Sequence, residues 1–283
     1  MRLVSYGPAG RERAGVIIQD EVIDLSFSNP RLPSSWRMIF ERRMVDEAAY
    51  TVPNASYRVN LANTRLGPPV PDLSKIVCLG LAYASHAGEG KEKPPAMPQL
   101  FCKAPSALAG PNDDIVYPKQ VEKLDYEVEL AVVIGQRAKH VPEAKALGVV
   151  AGYMVLNDVS ARCAQFGDKQ WFRGKSFDTF CPTGPYIVTP DEIENPDDLE
   201  LKCWVNNEQR QSASTSELLY PVRRIVSYIS DQMTLMPGDI IATGTPEGVG
   251  MFRKPPGLLS VGDVVEMEIA GIGRLRNRVV EEK

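Results

Sequence analysis

Residues 125–135 read DYEVELAVVIG, with Glu127 and Glu129 two positions apart at the head of the apolar run Ala131 to Ile134. An uninterrupted apolar stretch of this length, rich in β-branched residues, predicts a buried strand over Tyr126 to Ile134. Residues i and i+2 of a strand point to the same face, about 6 to 7 Å apart along it. Glu127 and Glu129 therefore face one way, and Val128 and Leu130 the other. Two carboxylates converging inside a fold repel, and keeping both ionised is costly unless a cation lies between them. Either lysines pair with them, or a divalent metal does.

A third carboxylate ends the next apolar segment, GYMVLND (152–158), where Asp158 is followed at once by VSAR (159–162). Asp158 has two readings at this point, as a helix N-cap or as a further ligand. A donor set of oxygens alone suits Mg²⁺ or Mn²⁺, which keep coordination positions for water or substrate.

The chain's 283 residues are 43% hydrophobic, ample for a packed core, and its formal charge of -4 arises from 36 acidic and 32 basic residues spread along it. Such a balance lacks the basic footprint of a nucleic-acid binder and favours a small-molecule partner. No apolar run approaches the roughly 18 residues of a membrane span, and Met-Arg-Leu-Val-Ser-Tyr carries no signal-peptide core. The five cysteines form no C-x-x-C pair and there are only two histidines, which disfavours Cys/His zinc sites. Reduced thiols and a cytoplasmic location are expected.

Pro68, Pro69 and Pro71 mark a linker, dividing the chain into a small α+β cap (1–70) and a β-rich body (71–283). In the cap, strands are expected at Arg2 to Tyr6 and Ala14 to Leu25, the latter broken at Gln19-Asp20-Glu21, with a helical stretch over Trp36 to Ala49. In the body, strands are expected at Ile76 to Leu79, Leu100 to Lys103, Ile115 to Tyr117, Gly152 to Asn157, Tyr186 to Val188, Leu199 to Val205, Ile240 to Thr243 and Val264 to Ile269. Helical pattern is sparse there, and its clearest candidates are Pro142 to Val149 and Ser216 to Met233. Gly271-Ile272-Gly273 reads as a hairpin turn. The fold class is thus α+β, mainly β.

DYEVELAVVIG, NDVSAR, RGKSFDTFCPTGPYIV and PGDIIATGTPEGVG resemble, in order, the signature blocks of the fumarylacetoacetate hydrolase family. The resemblance runs from about residue 74 to 283 and implies that family's mixed β-roll and a homodimer. It identifies Glu127, Glu129 and Asp158 with the metal-binding carboxylates. Some members carry a fourth carboxylate where this chain has Leu79, a departure that favours the three-ligand subgroup with pyruvate-like substrates.

His86 and Glu89 lie at i and i+3 in AYASHAGEGKEKPPAMP (82–98) and would share a face on a helical turn. The glycines and prolines around them argue for a mobile lid instead. Imidazole titrates near neutral pH, so a histidine oriented by a carboxylate suits general-base work; in a charged loop it can equally be a surface residue. The resemblance to hydrolytic family members favours the base, although the family usually has Asn where Ala82 stands.

Lys103, Arg162 and Lys175 are candidate cations for an anionic substrate or a developing oxyanion. The resemblance favours Lys175 for the latter, and gives Gln165 a substrate-orienting role. Cys163 replaces an acidic residue found in many relatives and is assigned no role. In ATGTPEGVG (242–250), Thr243 or Thr245 could hold a substrate carboxylate, and the family match favours Thr245. No G-K-[ST] follows, so this is not a phosphate loop.

These features imply a Mg²⁺- or Mn²⁺-dependent hydrolase cleaving a carbon–carbon bond in an acylpyruvate-like or other 1,3-dicarbonyl acid. Other readings are a decarboxylase or isomerase of oxaloacetate or an unsaturated 2-oxo diacid, and a dehydratase or hydrolase of 2-oxo-3-deoxy or diketo sugar acids. A metal-binding relative without turnover is a further reading.

Overall fold

The computed structural model describes all 283 residues. Its central strand is Val128–Ile134, every residue of which is buried. It pairs antiparallel with Val150–Asn157 on one side and Ile240–Ala242 on the other. Burial of both sheet faces explains why the strand is apolar without alternation from Leu130 to Ile134.

The larger sheet has eleven strands. Its path runs Arg58–Asn60, Glu21–Asp24, Arg13–Ile18, Arg2–Tyr6, Cys181–Val188, Val150–Asn157, Val128–Ile134, Ile240–Ala242, Ile76–Gly80, Gln99–Lys103, with Leu108–Ala109 pairing beside Cys181–Val188. A second sheet orders Glu208–Ser214, Glu200–Val205, Val264–Ile269, Gly273–Glu281 and Ile115–Tyr117. Here Val264–Ile269 and much of Gly273–Glu281 alternate more and less buried residues, as a sheet with one wetted face requires. The result is the expected α+β class dominated by strands.

Residues on both sides of the proline-rich segment share the larger sheet. Arg2 pairs with Val188 and Leu3 with Ile187. Trp36 and Phe40 belong to the same buried cluster as Val132 and Ile241, and the Trp36 indole donates to the Val4 carbonyl at 2.8 Å.

Local chemistry adjusts several boundaries. The helical stretch beginning at Trp36 splits into Trp36–Glu41 and Val45–Thr51, with Arg43 between them at φ +56°. The helix expected from Ser216 begins only at Val222, because Pro221 takes the N-cap position; Thr215–Glu217 forms a separate turn closed by a capping box with Ser214. Glu208–Ser214 is a strand that its polar sequence concealed. The preceding Asn206-Asn207, both at positive φ, is the hairpin signal that would have found it.

Candidate active site

In the antiparallel ladder, Val128 lies opposite Asn157. One step beyond the ladder's end, the Asp158 N–H donates to the Glu127 carbonyl at 2.9 Å. Glu127 therefore sits just outside the regular strand that was expected to contain it, beside Asp158 across the pair. Carboxylate oxygens of Glu127, Glu129 and Asp158 lie within 4.8 Å of one another, and all three residues are buried. Asp158 is not a helix N-cap: the following helix, Arg162–Gly167, is capped at Ala161.

Three cations serve this cluster unequally. The Lys175 ammonium donates to Glu127 Oε2 and Asp158 Oδ2, each at 2.7 Å. Lys103 donates to Asp158 Oδ1 at 2.6 Å and to the Val159 carbonyl at 3.2 Å. Arg162 donates from Nε to Asp125 Oδ2 at 2.8 Å and from Nη1 to Gln165 Oε1 at 2.9 Å, and its Nη2 lies 2.7 Å from Glu127 Oε1. Glu129 makes no ion pair; its Oε2 accepts the Gly244 N–H at 2.7 Å.

Burial, reinforced by Asp158 and Glu127, pushes the Glu129 carboxyl well above the usual carboxylate range. Burial acts the same way on Glu127, but the charges of Lys175 and Arg162 outweigh it and hold that carboxyl low. For Lys175, burial favours the neutral amine, and Asp158 with Glu127 reverses this, raising its pKa. Glu129 is thus the uncompensated member. A divalent cation in contact with all three would relieve it, and the buried, all-oxygen donor set is suited to one.

A cavity opens over this cluster, lined by Glu127, Glu129, Arg162, Gln165, Lys175 and Thr245, with His86 also on its wall. The segment expected to be an irregular lid forms a short helix, Ala84–Glu89, ending at Gly90. Its base is anchored, as the Leu219 N–H donates to the Ala82 carbonyl and Tyr83 bridges to Leu218. His86 Nδ1 lies 3.3 Å from Glu89 Oε2, and Glu89 Oε1 accepts the Gly248 N–H at 2.8 Å. Gly248 has φ +100°, and a Cβ there would lie 2.2 Å from the Arg210 carbonyl oxygen, so this donor position requires glycine.

The structure separates the other candidates. Thr245 lines the cavity and accepts from Gln211 Nε2 at 2.8 Å, whereas Thr243 donates to the Leu130 carbonyl at 2.9 Å within the sheet. Lys103, expected to meet substrate, does not line the cavity; it lies buried against Asp158, which absorbs its charge. Leu79 is on the wall, and Ala82 packs against Gly244.

Asp125 escaped sequence reading. It accepts from the Gly250 and Met251 N–H groups at 2.7 and 3.0 Å as well as from Arg162, tying the Gly-rich loop to the cluster. Its proximity to Glu127 was the available signal. Phe101, Trp171 and Phe252, also on the wall, carried none.

Residues 75–280 match the family model described as fumarylacetoacetate (FAA) hydrolase, C-terminal. The chain belongs to the fumarylacetoacetate hydrolase family. Among its relatives, the mitochondrial oxaloacetate tautomerase Fahd2a of Rattus norvegicus is 40% identical, over 99% of this chain and 92% of that protein. The 2,4-didehydro-3-deoxy-L-rhamnonate hydrolase of Sphingomonas is 41% identical, over 99% and 96%. Among solved structures of the family, maleylpyruvate hydrolase from Sphingobium sp. SYK-6, in complex with manganese(II) and pyruvate, superposes with a TM-score of 0.83 at 33% identity, covering 100% of each chain. These family relatives support an enzyme that processes 2-oxo acids. No helix is long and apolar enough to cross a membrane.

Proposed function

We propose that this chain is a divalent-metal-dependent hydrolase that cleaves a carbon–carbon bond in an acylpyruvate-like 2-oxo acid. The observation that carries this reading is His86, which lies on the wall of the cavity that opens over the buried carboxylates and is held by Glu89 from behind that wall. Glu127, Glu129 and Asp158 would hold Mg²⁺ or Mn²⁺, which when bound supplies the charge that chelates and polarises a 2-oxo acid.

Glu89, fixed by the Gly248 N–H, orients the His86 ring through Nδ1 and leaves Nε2 to accept a proton from water. The water oxygen bonds to the acyl carbon, and the electron pair of the broken bond passes to the 2-oxo acid fragment as its enolate. A proton returned to that fragment's C3 gives the free 2-oxo acid beside a carboxylic acid. Lys175 supports the developing negative charge, while Arg162, Gln165 and the Thr245 hydroxyl position the substrate's polar groups. The reading includes a homodimer; light scattering would then give twice the 31.2 kDa of one chain, and a monomer mass would reject it.

Relatives named as oxaloacetate tautomerases favour a second reading, proton transfer on a 2-oxo diacid. Turnover of acetylpyruvate, fumarylpyruvate and oxaloacetate by Mn²⁺-loaded protein separates the two. Hydrolysis of an acylpyruvate that falls at least 100-fold in both His86→Ala and Glu127→Ala supports the hydrolase. Conversion of oxaloacetate alone, with His86→Ala still active, supports the second reading.

A further inference from the structure

Most charged side chains of the cavity wall belong to the acidic cluster or are paired with it. The wall holds two permanent cations, and both are committed to the acidic cluster: Lys175 to Glu127 and Asp158, Arg162 to Asp125 and Glu127. The rest of the wall includes Leu79, Leu81, Phe101, Phe166, Trp171 and Phe252. Trp171 is seated on Gly80, where a Cβ would lie 2.6 Å from its ring, and its indole meets Phe101 edge-on at 5.2 Å. One further charge lines the cavity, the Glu92 carboxylate, which is exposed and makes no ion pair. Lys91 and Lys93 on either side of it are exposed and lie outside the lining.

We infer that this wall selects 2-oxo acids whose far end is uncharged, and that Glu92 is the residue that rejects a second carboxylate there. The inference rests on the 2-oxo acid reading above. With the 2-oxo acid end held over Glu127, Glu129 and Asp158, the tail lies against aromatic and aliphatic side chains. A methylene or phenyl tail gains by leaving water for that surface. A terminal carboxylate loses hydration, finds no free cation, and meets Glu92 as a like charge. Specificity of this kind comes from the repulsive element as much as from the attractive one. This favours acyl-type 2-oxo acids with a neutral, apolar tail over dicarboxylates.

Two six-carbon probes that differ in a terminal carboxylate test this without turnover. Calorimetric titration of the Mn²⁺-loaded full chain with 2-oxohexanoate and 2-oxoadipate is expected to show the former binding about tenfold more tightly. That ratio is expected to shrink in Glu92→Gln and to fall at least tenfold in Glu92→Lys. Because Glu92 is exposed and unpaired, neither substitution removes a contact of the fold. Equal or tighter binding of 2-oxoadipate by the wild type, or a ratio unmoved by both substitutions, overturns the inference and leaves the 2-oxo acid reading standing. Failure of both probes to bind overturns the two together.

Discussion

Glu129 is held among Glu127 and Asp158 without a cation of its own, so either a proton or a divalent cation must offset its burial. The two compete. Since its pKa is raised, the carboxyl keeps its proton to higher pH than an ordinary glutamate, and Mn²⁺ binding must displace that proton. Affinity for Mn²⁺ is therefore expected to rise with pH, with proton release visible as a buffer-dependent binding enthalpy in calorimetry. Binding that is independent of pH and of buffer would refute the assignment. Glu129→Gln removes the displaced proton and one anionic ligand together, so the remaining affinity is expected to fall roughly 100-fold or more and its pH dependence to flatten.

At the scale of an element, Asp24 shows how one buried carboxylate organises a hairpin and the helix after it. It accepts from Tyr6 Oη at 2.6 Å, Arg13 Nε at 2.7 Å and the Phe27 N–H at 2.6 Å, capping Leu25–Ser28. Burial alone would raise its pKa, but hydrogen bonds from Arg13, Tyr6 and the Phe27 N–H lower it. A depressed folded-state pKa means that its contribution is complete above the unfolded value and lost as pH falls through the folded one. Asp24→Ala is expected to destabilise the protein by about 2–4 kcal/mol near neutral pH, by leaving Tyr6 and Arg13 without their acceptor. Urea unfolding of both proteins should show the difference narrowing in acid. A difference that grows in acid would contradict the sign.

For the whole molecule, the decisive contact is between Arg2–Tyr6 and Cys181–Val188, which makes the first strands part of the larger sheet. Removing residues 1–70 would bare the edge of Cys181–Val188 and take Leu3, Trp36, Ile39 and Phe40 out of the shared core. An unpaired edge and an opened core both favour aggregation. The truncated chain is expected to lack a cooperative thermal transition and to collect in the insoluble fraction. A soluble fragment that unfolds cooperatively would show instead that residues 71–283 stand alone.

The strand Val128–Ile134, the mainly β class, the Gly271–Gly273 turn and the same-face pair Glu127 and Glu129 were legible in the amino-acid order, because each rests on neighbours in sequence: an apolar run, a glycine pair, two carboxylates at strand spacing. The family resemblance joined Asp158 to the glutamate pair, favoured Thr245 over Thr243, and favoured a base role for His86 and Glu89, whose i, i+3 spacing had singled them out. Other features depend on residues far apart in the chain. That Lys103 lies behind Asp158, that Asp125 holds residues 250 and 251, and that Trp171 and Phe252 share a wall with His86 follow from distant segments brought together. Local sequence determined which backbone forms each segment favours and where carboxylates gather. Only the tertiary structure decided which cations those carboxylates retain and which face the cavity, because burial and charge pairing belong to the packed chain.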